Sequence, residues 1–200
     1  MPEAAPSVLM VLFSAILTEN IALTYYLGMC PFISISRHSR MAFHMGVTVT
    51  FVMVLTGMMN WALRHWLLLP LELEYLQLLV FILTIAFSVQ FLEQFLERFF
   101  PLIHEEFGVF LPLITVNCAI LGITLISQLR EYDGFTTFTY ALGSGIGWTL
   151  AITLLGGIRN HLAFSRPPRA LGDVGITMVI AAFMAMALAG FQGILVGANP

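Results

Sequence analysis

Two cysteines carry the most distinctive chemistry in this chain, and each one interrupts an apolar run. Cys118 stands in Gly-Val-Phe-Leu-Pro-Leu-Ile-Thr-Val-Asn-Cys-Ala-Ile-Leu-Gly, residues Gly108–Gly122. Pro112 lies upstream, and a polar Thr-x-Asn precedes the thiol. Cys30 stands in Leu27-Gly28-Met29-Cys30-Pro31. Gly28 weakens a helix and Pro31 has no N–H to donate, so the backbone is expected to break between them. At membrane depth such backbone is tolerated only where protein buries it or a cavity hydrates it. The N–H groups freed at a break can bond to thiolate or sulfide, one of the levers that tune an iron–sulfur centre. Two thiolates are half the ligand set of a [2Fe–2S] cluster, so a second chain would have to supply the rest. Composition alone favours a plainer reading, in which free cysteine is a small buried hydrophobe. A disulfide also remains open.

Other polar residues lie inside apolar runs. Glu19 and Asn20 fall midway along the first; Glu93 and Glu97 lie one helical turn apart near the end of the third, beside Gln90 and Gln94. A carboxylate at the centre of a bilayer costs about 2.5–3.5 kcal/mol on insertion scales and commonly marks an ion path or a partner contact. Glu19 and Glu93 are therefore candidates for an ion path, with Glu19 also placed to pair with a neighbouring subunit. Glu93 and Glu97 can equally reach the interface and be solvated. Gly143-Ser144-Gly145-Ile146-Gly147-Trp148 looks like a phosphate loop, but it sits in an apolar span, where small residues serve close helix packing. It is expected to leave room for the broken fourth run. His38, His44, His65, His104 and His161 lie near run ends without ligand spacing. Trp61, Trp66, Tyr75, Tyr132 and Tyr140 are expected to form an interfacial belt.

The elements that must position these residues are membrane helices. Of 200 residues 59% are hydrophobic and 10% charged, with a mean hydropathy of +0.93; ordinary soluble domains carry about 25% charged residues. The net charge of −3 and the absence of any basic run leave no nucleic-acid role. A bilayer core of about 30 Å needs roughly 20 apolar residues per helix. Six runs qualify, approximately Ser7–Leu27, Met41–Leu63, Leu76–Leu96, Gly108–Ser127, Phe138–Ile158 and Val174–Val196. The first has no basic flank and reads as a span, not a cleaved signal. The connections are short, so the chain reads as one integral membrane domain, residues 1–200. Lysine is absent. Arg37, Arg40, Arg98, Arg159, Arg166 and Arg169 lie on one side, and Arg64 and Arg130 on the other. This bias puts the first set in the cytoplasm and both termini outside.

The sequence also resembles itself. Thr18-Glu19-Asn20-Ile21-Ala22-Leu23 matches Thr115-Val116-Asn117-Cys118-Ala119-Ile120 at an offset of 97. Three spans followed by three make a 3+3 inverted repeat, about 7–97 and 108–196, with broken helices in spans one and four. At that offset Cys118 falls on Ile21 and Cys30 on Ser127, so the cysteines are not copies of each other. The fold expected is an all-α membrane protein of six transmembrane helices.

Glu19–Cys30, Phe110–Gly122, Gly143–Trp148 and Leu92-Glu93…Arg98-Phe99-Phe100-Pro101 resemble the NqrDE/RnfAE family over nearly the whole chain. Glu19-Asn20, Val116 and the Gly-x-Gly-Trp run are similar to the NqrE branch, from the sodium-translocating NADH:quinone reductase. Cys30-Pro31-Phe32 and the loop around Pro70-Leu71-Glu72-Leu73 lean toward the RnfA branch, from the related Rnf ferredoxin:NAD oxidoreductase. A cofactor-free inverted-repeat transporter is a further alternative. The resemblance implies a subunit that is not active alone. It implies a homologous membrane partner of opposite topology (the NqrD type), inside a six-subunit complex of the bacterial inner membrane. Cys30 and Cys118 match the two positions that hold, with two cysteines of that partner, one intramembrane [2Fe–2S] cluster. Electrons would pass from a cytoplasmic NADH-oxidising subunit to a periplasmic FMN subunit, coupled to sodium translocation. NAD, FAD, FMN and quinone would bind only to other subunits.

Overall fold

A computed structural model of the chain describes residues 8–36, 39–70, 74–99, 114–162 and 172–196. Regular structure among them is helical: α1 (Val8–Phe13), α2 (Met29–Ile35), α3 (Ser39–Leu63), α4 (Gln77–Phe99), α5 (Cys118–Leu129), α6 (Gly134–Leu162) and α7 (Gly172–Val196). Wider π turns, Ser14–Thr18 and Arg64–Leu68, extend α1 and α3. Four stretches are long and apolar enough to cross a membrane: Arg40–Leu68, Gln77–Phe95, Gly134–Leu162 and Gly172–Gly190. They fall on the second, third, fifth and sixth apolar runs. The first and fourth runs instead contribute the shorter apolar helices Val8–Thr18 and Cys118–Leu129. The chain is thus an all-helical, multi-pass membrane protein. The segment Gly108–Leu113 with Pro112, and also Arg37, His38, His104, Arg166 and Arg169, lie outside the described residues.

The interruption of the first run differs from the expected one. The π turn closes with Glu19 N–H donating to Ser14 O at 2.7 Å, and the chain leaves the helix at Asn20. It stays non-helical to Gly28, with left-handed backbone at Tyr26 (φ 54°) and Gly28 (φ 78°). Pro31 does not break the helix: it is the third residue of α2. In a first turn its missing N–H has no helical acceptor to forgo. Gly28 ends the break because glycine takes the left-handed turn without a Cβ penalty.

The centre of the molecule is the crossing of α3 and α6, the most extensive interface in the fold. The two helices run antiparallel and exchange small residues reciprocally. A methyl group on Gly145 would come within 2.6 Å of Thr50, and one on Gly46 would strike Thr149. The two threonine hydroxyls meet at 3.1 Å. Each also donates to its own i−4 carbonyl, Gly46 O and Gly145 O, at 2.8 Å, which satisfies the hydroxyls inside an apolar helix. Gly143 and Gly147 lie on another side of α6, where a methyl would sit 3.1 Å from Leu12 O and 2.9 Å from Ile16 O. The glycine run is a packing device, as expected, but it makes room for the first run and α3.

Trp148, Tyr140, Phe32 and Phe81 are the largest fully buried side chains. Tyr140 therefore does not belong to the rim, whereas Trp66 and Tyr75 are exposed as an interfacial belt requires. The outer faces of α4 and α7 are apolar, with Leu83, Phe87, Phe91, Phe183 and Met186 all exposed. That is the surface of a protein whose solvent is lipid or another helix.

Arginines close both ends of the bundle. Arg159, in the last turn of α6, is buried; it donates to Ile33 O (2.9 Å) and Ser36 Oγ (2.6 Å) at the end of α2, and to Asp173 (2.8 Å) on α7. Arg64, at the end of α3, donates to Gln128 Oε1 (2.7 Å) in the last turn of α5. Both occupy helix C-termini, where a cation complements the free carbonyls.

Candidate functional site: two helix breaks that meet at a thiol

The matched hexapeptides adopt the same local turn. Asn20 Oδ1 accepts the N–H of Ala22 at 3.1 Å, and Asn117 Oδ1 accepts the N–H of Ala119 at 3.0 Å. An asparagine oxygen that takes the N–H two residues on is a standard helix start. At Asn117 it caps α5, whose first residue is Cys118. Asn20 also uses its amide nitrogen, which donates to Gly147 O at 2.8 Å and Ile16 O at 3.2 Å. The first break is thereby tied to α6.

The two breaks then pack against each other. Gly28 N–H donates to Cys118 Sγ at 2.9 Å. A methyl on Gly122 would strike the Leu27 side chain. Cys30 follows Gly28 by two residues in the first turn of α2. Both thiols are free and exposed on the chain. Beside them Val116 is 71% exposed and Tyr26 52%. Exposed, non-helical backbone at membrane depth has unmet polar groups unless another protein covers it. Among the described residues no three His, Cys, Asp or Glu side chains come together. The described residues thus present two exposed thiols beside the helix breaks and no complete metal-binding set.

Behind the thiols the wall is unusual. Trp148, wholly buried on α6, contacts Phe32 edge-on at 6.5 Å between ring centroids. Its indole Nε1–H and the Asn117 Nδ2 amide are both buried without a hydrogen-bond partner.

Glu19 is close in sequence and engaged elsewhere. Arg130, just past α5, donates through both guanidinium nitrogens to its two carboxylate oxygens at 2.8 Å, and to Tyr132 OH at 3.0 Å. The partner expected on a neighbouring subunit is in the same chain. The hydrogen bonds that Arg130 donates to the Glu19 carboxylate, outweighing burial, raise the Arg130 pKa further above its ordinary value. Glu93 lies on α4, where it accepts a 3.4 Å bond from exposed Gln90. Glu19 and Glu93 thus hold different partners and are not brought into one cluster. Neither His44, edge-on to Phe43, nor His65, stacked on Trp61, adds to the thiol site.

Sequence reasoning located Cys30, Cys118, Glu19, Glu93 and the asparagine repeat. It gave Trp148 no role beyond the packing run and took Arg130 and Arg159 only as orientation markers. Asn117 carried a readable signal, an N-cap residue directly before an apolar helix. The tertiary partners of Trp148 and of the arginines had no local signal.

Residues 8–195 match the family model described as Rnf-Nqr subunit, membrane protein. The A subunit of the Na(+)-translocating ferredoxin:NAD(+) oxidoreductase complex of Acetobacterium woodii is 41% identical over 191 residues, covering 96% of this chain and all of that protein. The A subunit of the ion-translocating oxidoreductase complex of Syntrophotalea carbinolica is 38% identical, covering 96% of this chain and 99% of its own. The E subunit of the Na(+)-translocating NADH-quinone reductase of Nitrosomonas europaea is 41% identical, covering 90% of this chain and 95% of its own. Matches of this length and identity, across both halves and both breaks, place the chain plainly: it belongs to the Rnf-Nqr family of membrane subunits.

Proposed function

We propose that the chain is the half-site subunit of an ion-translocating oxidoreductase complex, holding one intramembrane [2Fe–2S] cluster jointly with a homologous subunit. The observation that carries this reading is the meeting of the breaks: Gly28 N–H on Cys118 Sγ, Cys30 one half-turn away, and both thiols exposed. The residues fit half of a thiolate-held cluster, because two soft ligands face outward together with an N–H donor already on one sulfur. The cluster, when bound, supplies one-electron storage at membrane depth. The chain's own residues do the rest. Asn20 and Asn117 fix the breaks, Gly28 brings one backbone to the other's sulfur, and Phe32 and Trp148 keep the inner side free of solvent. The exposed stretch at Tyr25 and Tyr26, together with Val116, is where the partner, of opposite topology, covers the site.

The inverted 3+3 repeat, with six spans in all, is part of this proposal. Three features support it: the same asparagine turn at matched positions, the reciprocal Gly–Thr exchange at the α3–α6 crossing, and arginines at the ends of α3 and α6 that each reach the last turn of the opposite half-helix. The arginine bias supports both termini outside the bacterial inner membrane.

The electron donor separates two branches. Glu19-Asn20 and Gly-x-Gly-Trp favour the sodium-pumping NADH:quinone reductase, in which electrons pass from the cytoplasmic NADH-oxidising side to a periplasmic FMN subunit. Cys30-Pro31-Phe32 and the full-length match to the Acetobacterium woodii protein favour a ferredoxin:NAD complex. Glu19 and Glu93 remain our proposed contributors to the ion path. Unchanged sodium-coupled turnover in both Glu19→Gln and Glu93→Gln would remove them from it.

The test is the low-temperature paramagnetic signal of the purified complex, reduced against oxidised, with NADH or reduced ferredoxin as donor. Cys30→Ala and Cys118→Ala are each expected to abolish the signal and electron transfer. A signal that persists without both thiols overturns the assignment.

A further inference from the structure

The asparagines at the matched positions differ in one respect. Asn20 places its amide nitrogen on two carbonyls, but Asn117 Nδ2 has no partner although the residue is 3% exposed. Trp148 Nε1 is in the same condition on a residue that is 0% exposed. A buried donor left without an acceptor costs about 1–3 kcal/mol. Two such donors in one place need a reason.

Trp148 borders Gly28 through its orphaned Nε1, and Asn117 through the Oδ1 of the carboxamide that carries the other orphan. A methyl group there would lie 2.7 Å from Trp148 Nε1 and 3.0 Å from Asn117 Oδ1. The N–H of the same glycine is given to Cys118 Sγ at 2.9 Å. Three elements therefore meet at this glycine: the end of the first break, the cap of α5 and the middle of α6. The first of them already places an N–H on sulfur. Packing alone does not call for this, because a phenylalanine would fill the Trp148 site against Phe32 with no orphaned N–H.

We infer that Trp148 and Asn117 are positioning residues whose N–H groups turn to the electron-rich sulfur of this site and raise the reduction potential of the cluster held there. The inference rests on the cluster reading above. Its chemistry is electrostatic and moves no proton. Reduction adds one electron, the sulfurs become more negative, and fixed N–H dipoles stabilise that state more than the oxidised one.

The experiment is a potentiometric titration of the paramagnetic signal in the whole purified complex. Trp148→Phe keeps the ring against Phe32 and removes the donor; Asn117→Ser keeps an oxygen for the α5 cap and removes the amide. At a potential that half-reduces the parent cluster, each variant is expected to shift the reduced-to-oxidised ratio downward by up to about tenfold, a lowering of up to about 59 mV for one electron. Trp61→Phe, an indole loss at the far end of α3, is expected to leave the midpoint in place. If Trp148→Phe fails to assemble, Asn117→Ser decides alone. A midpoint unmoved in the variants that assemble, or moved equally by Trp61→Phe, overturns the inference while the cluster reading stands. Absence of any signal that depends on Cys118 overturns the cluster reading itself.

Discussion

The two helix breaks begin with the same asparagine turn and end differently. The first is long, running from Glu19 to Gly28, and everything polar at its head is used: Asn20 bonds Ala22, Gly147 and Ile16, and Glu19 bonds Arg130. The second is short, limited among the described residues to Val116 and Asn117, and its asparagine keeps one side unpaired. A turn whose bonds are all satisfied within the chain acts as scaffold. In the function we propose, a turn with a donor left over beside an exposed thiol is the one that faces the shared site. Labour is thus divided: the first break brings Gly28 and Cys30 into position, and the second presents Cys118 and its donors.

The largest expected effect exploits this asymmetry. Asn20→Leu leaves the buried Ala22 N–H without its acceptor, at about 1–3 kcal/mol, and also removes the tie from the first break to Gly147 O on α6. Asn117→Leu removes the equivalent bond from Ala119 N–H, the α5 cap, worth about 0.5–2 kcal/mol, and breaks no tie to another helix. Thermal denaturation of the purified complex is expected to show the larger loss for Asn20→Leu. Equal losses would erase the distinction between the two turns.

Next in size is Gly28→Ala. A left-handed residue with a Cβ costs about 1–2 kcal/mol, and this Cβ would also press on Trp148 Nε1, Asn117 Oδ1 and Ala119. The joint between the breaks is expected to open, with less iron retained in the purified complex. Full iron retention would show that the breaks need not touch.

The end clamps supply the last comparison, and the smallest effect. The Arg159 side chain is 7% exposed and serves α2 and α7; the Arg130 side chain is 37% exposed and serves Glu19. Arg159→Met is expected to cost about 1–3 kcal/mol through loss of the charge-assisted hydrogen bonds to Ile33 O, Ser36 Oγ and Asp173, and Arg130→Met about 0–1 kcal/mol, as for a solvated ion pair. The reverse order in thermal stability would mean that Glu19–Arg130 holds the first break closed more than its exposure indicates.

Much of this was legible from the residues. The four full-length helices follow from apolar runs of the right length, and the breaks follow from a polar hexapeptide repeated inside two such runs. Other features depended on register between distant segments. Pro31 looks like a breaker in isolation, but as the third residue of α2 it sits where proline is harmless. Tyr140 lies close enough to the end of its run to suggest the rim, and only tertiary packing, with Tyr132 edge-on at 5.6 Å, encloses it. Glu19 and Arg130 are separated by 111 positions, and nothing local couples them. The glycine run announced close packing without naming which helix would come close.

The central claim is that Cys30 and Cys118 are two ligands of one site. Iron per complex, measured in the parent, in Cys30→Ala, in Cys118→Ala and in the double variant, tests it most directly. Residues that act as a unit are non-additive, so each single variant is expected to lose the same iron as the double. Additive losses, or iron unchanged in either single variant, would contradict the account.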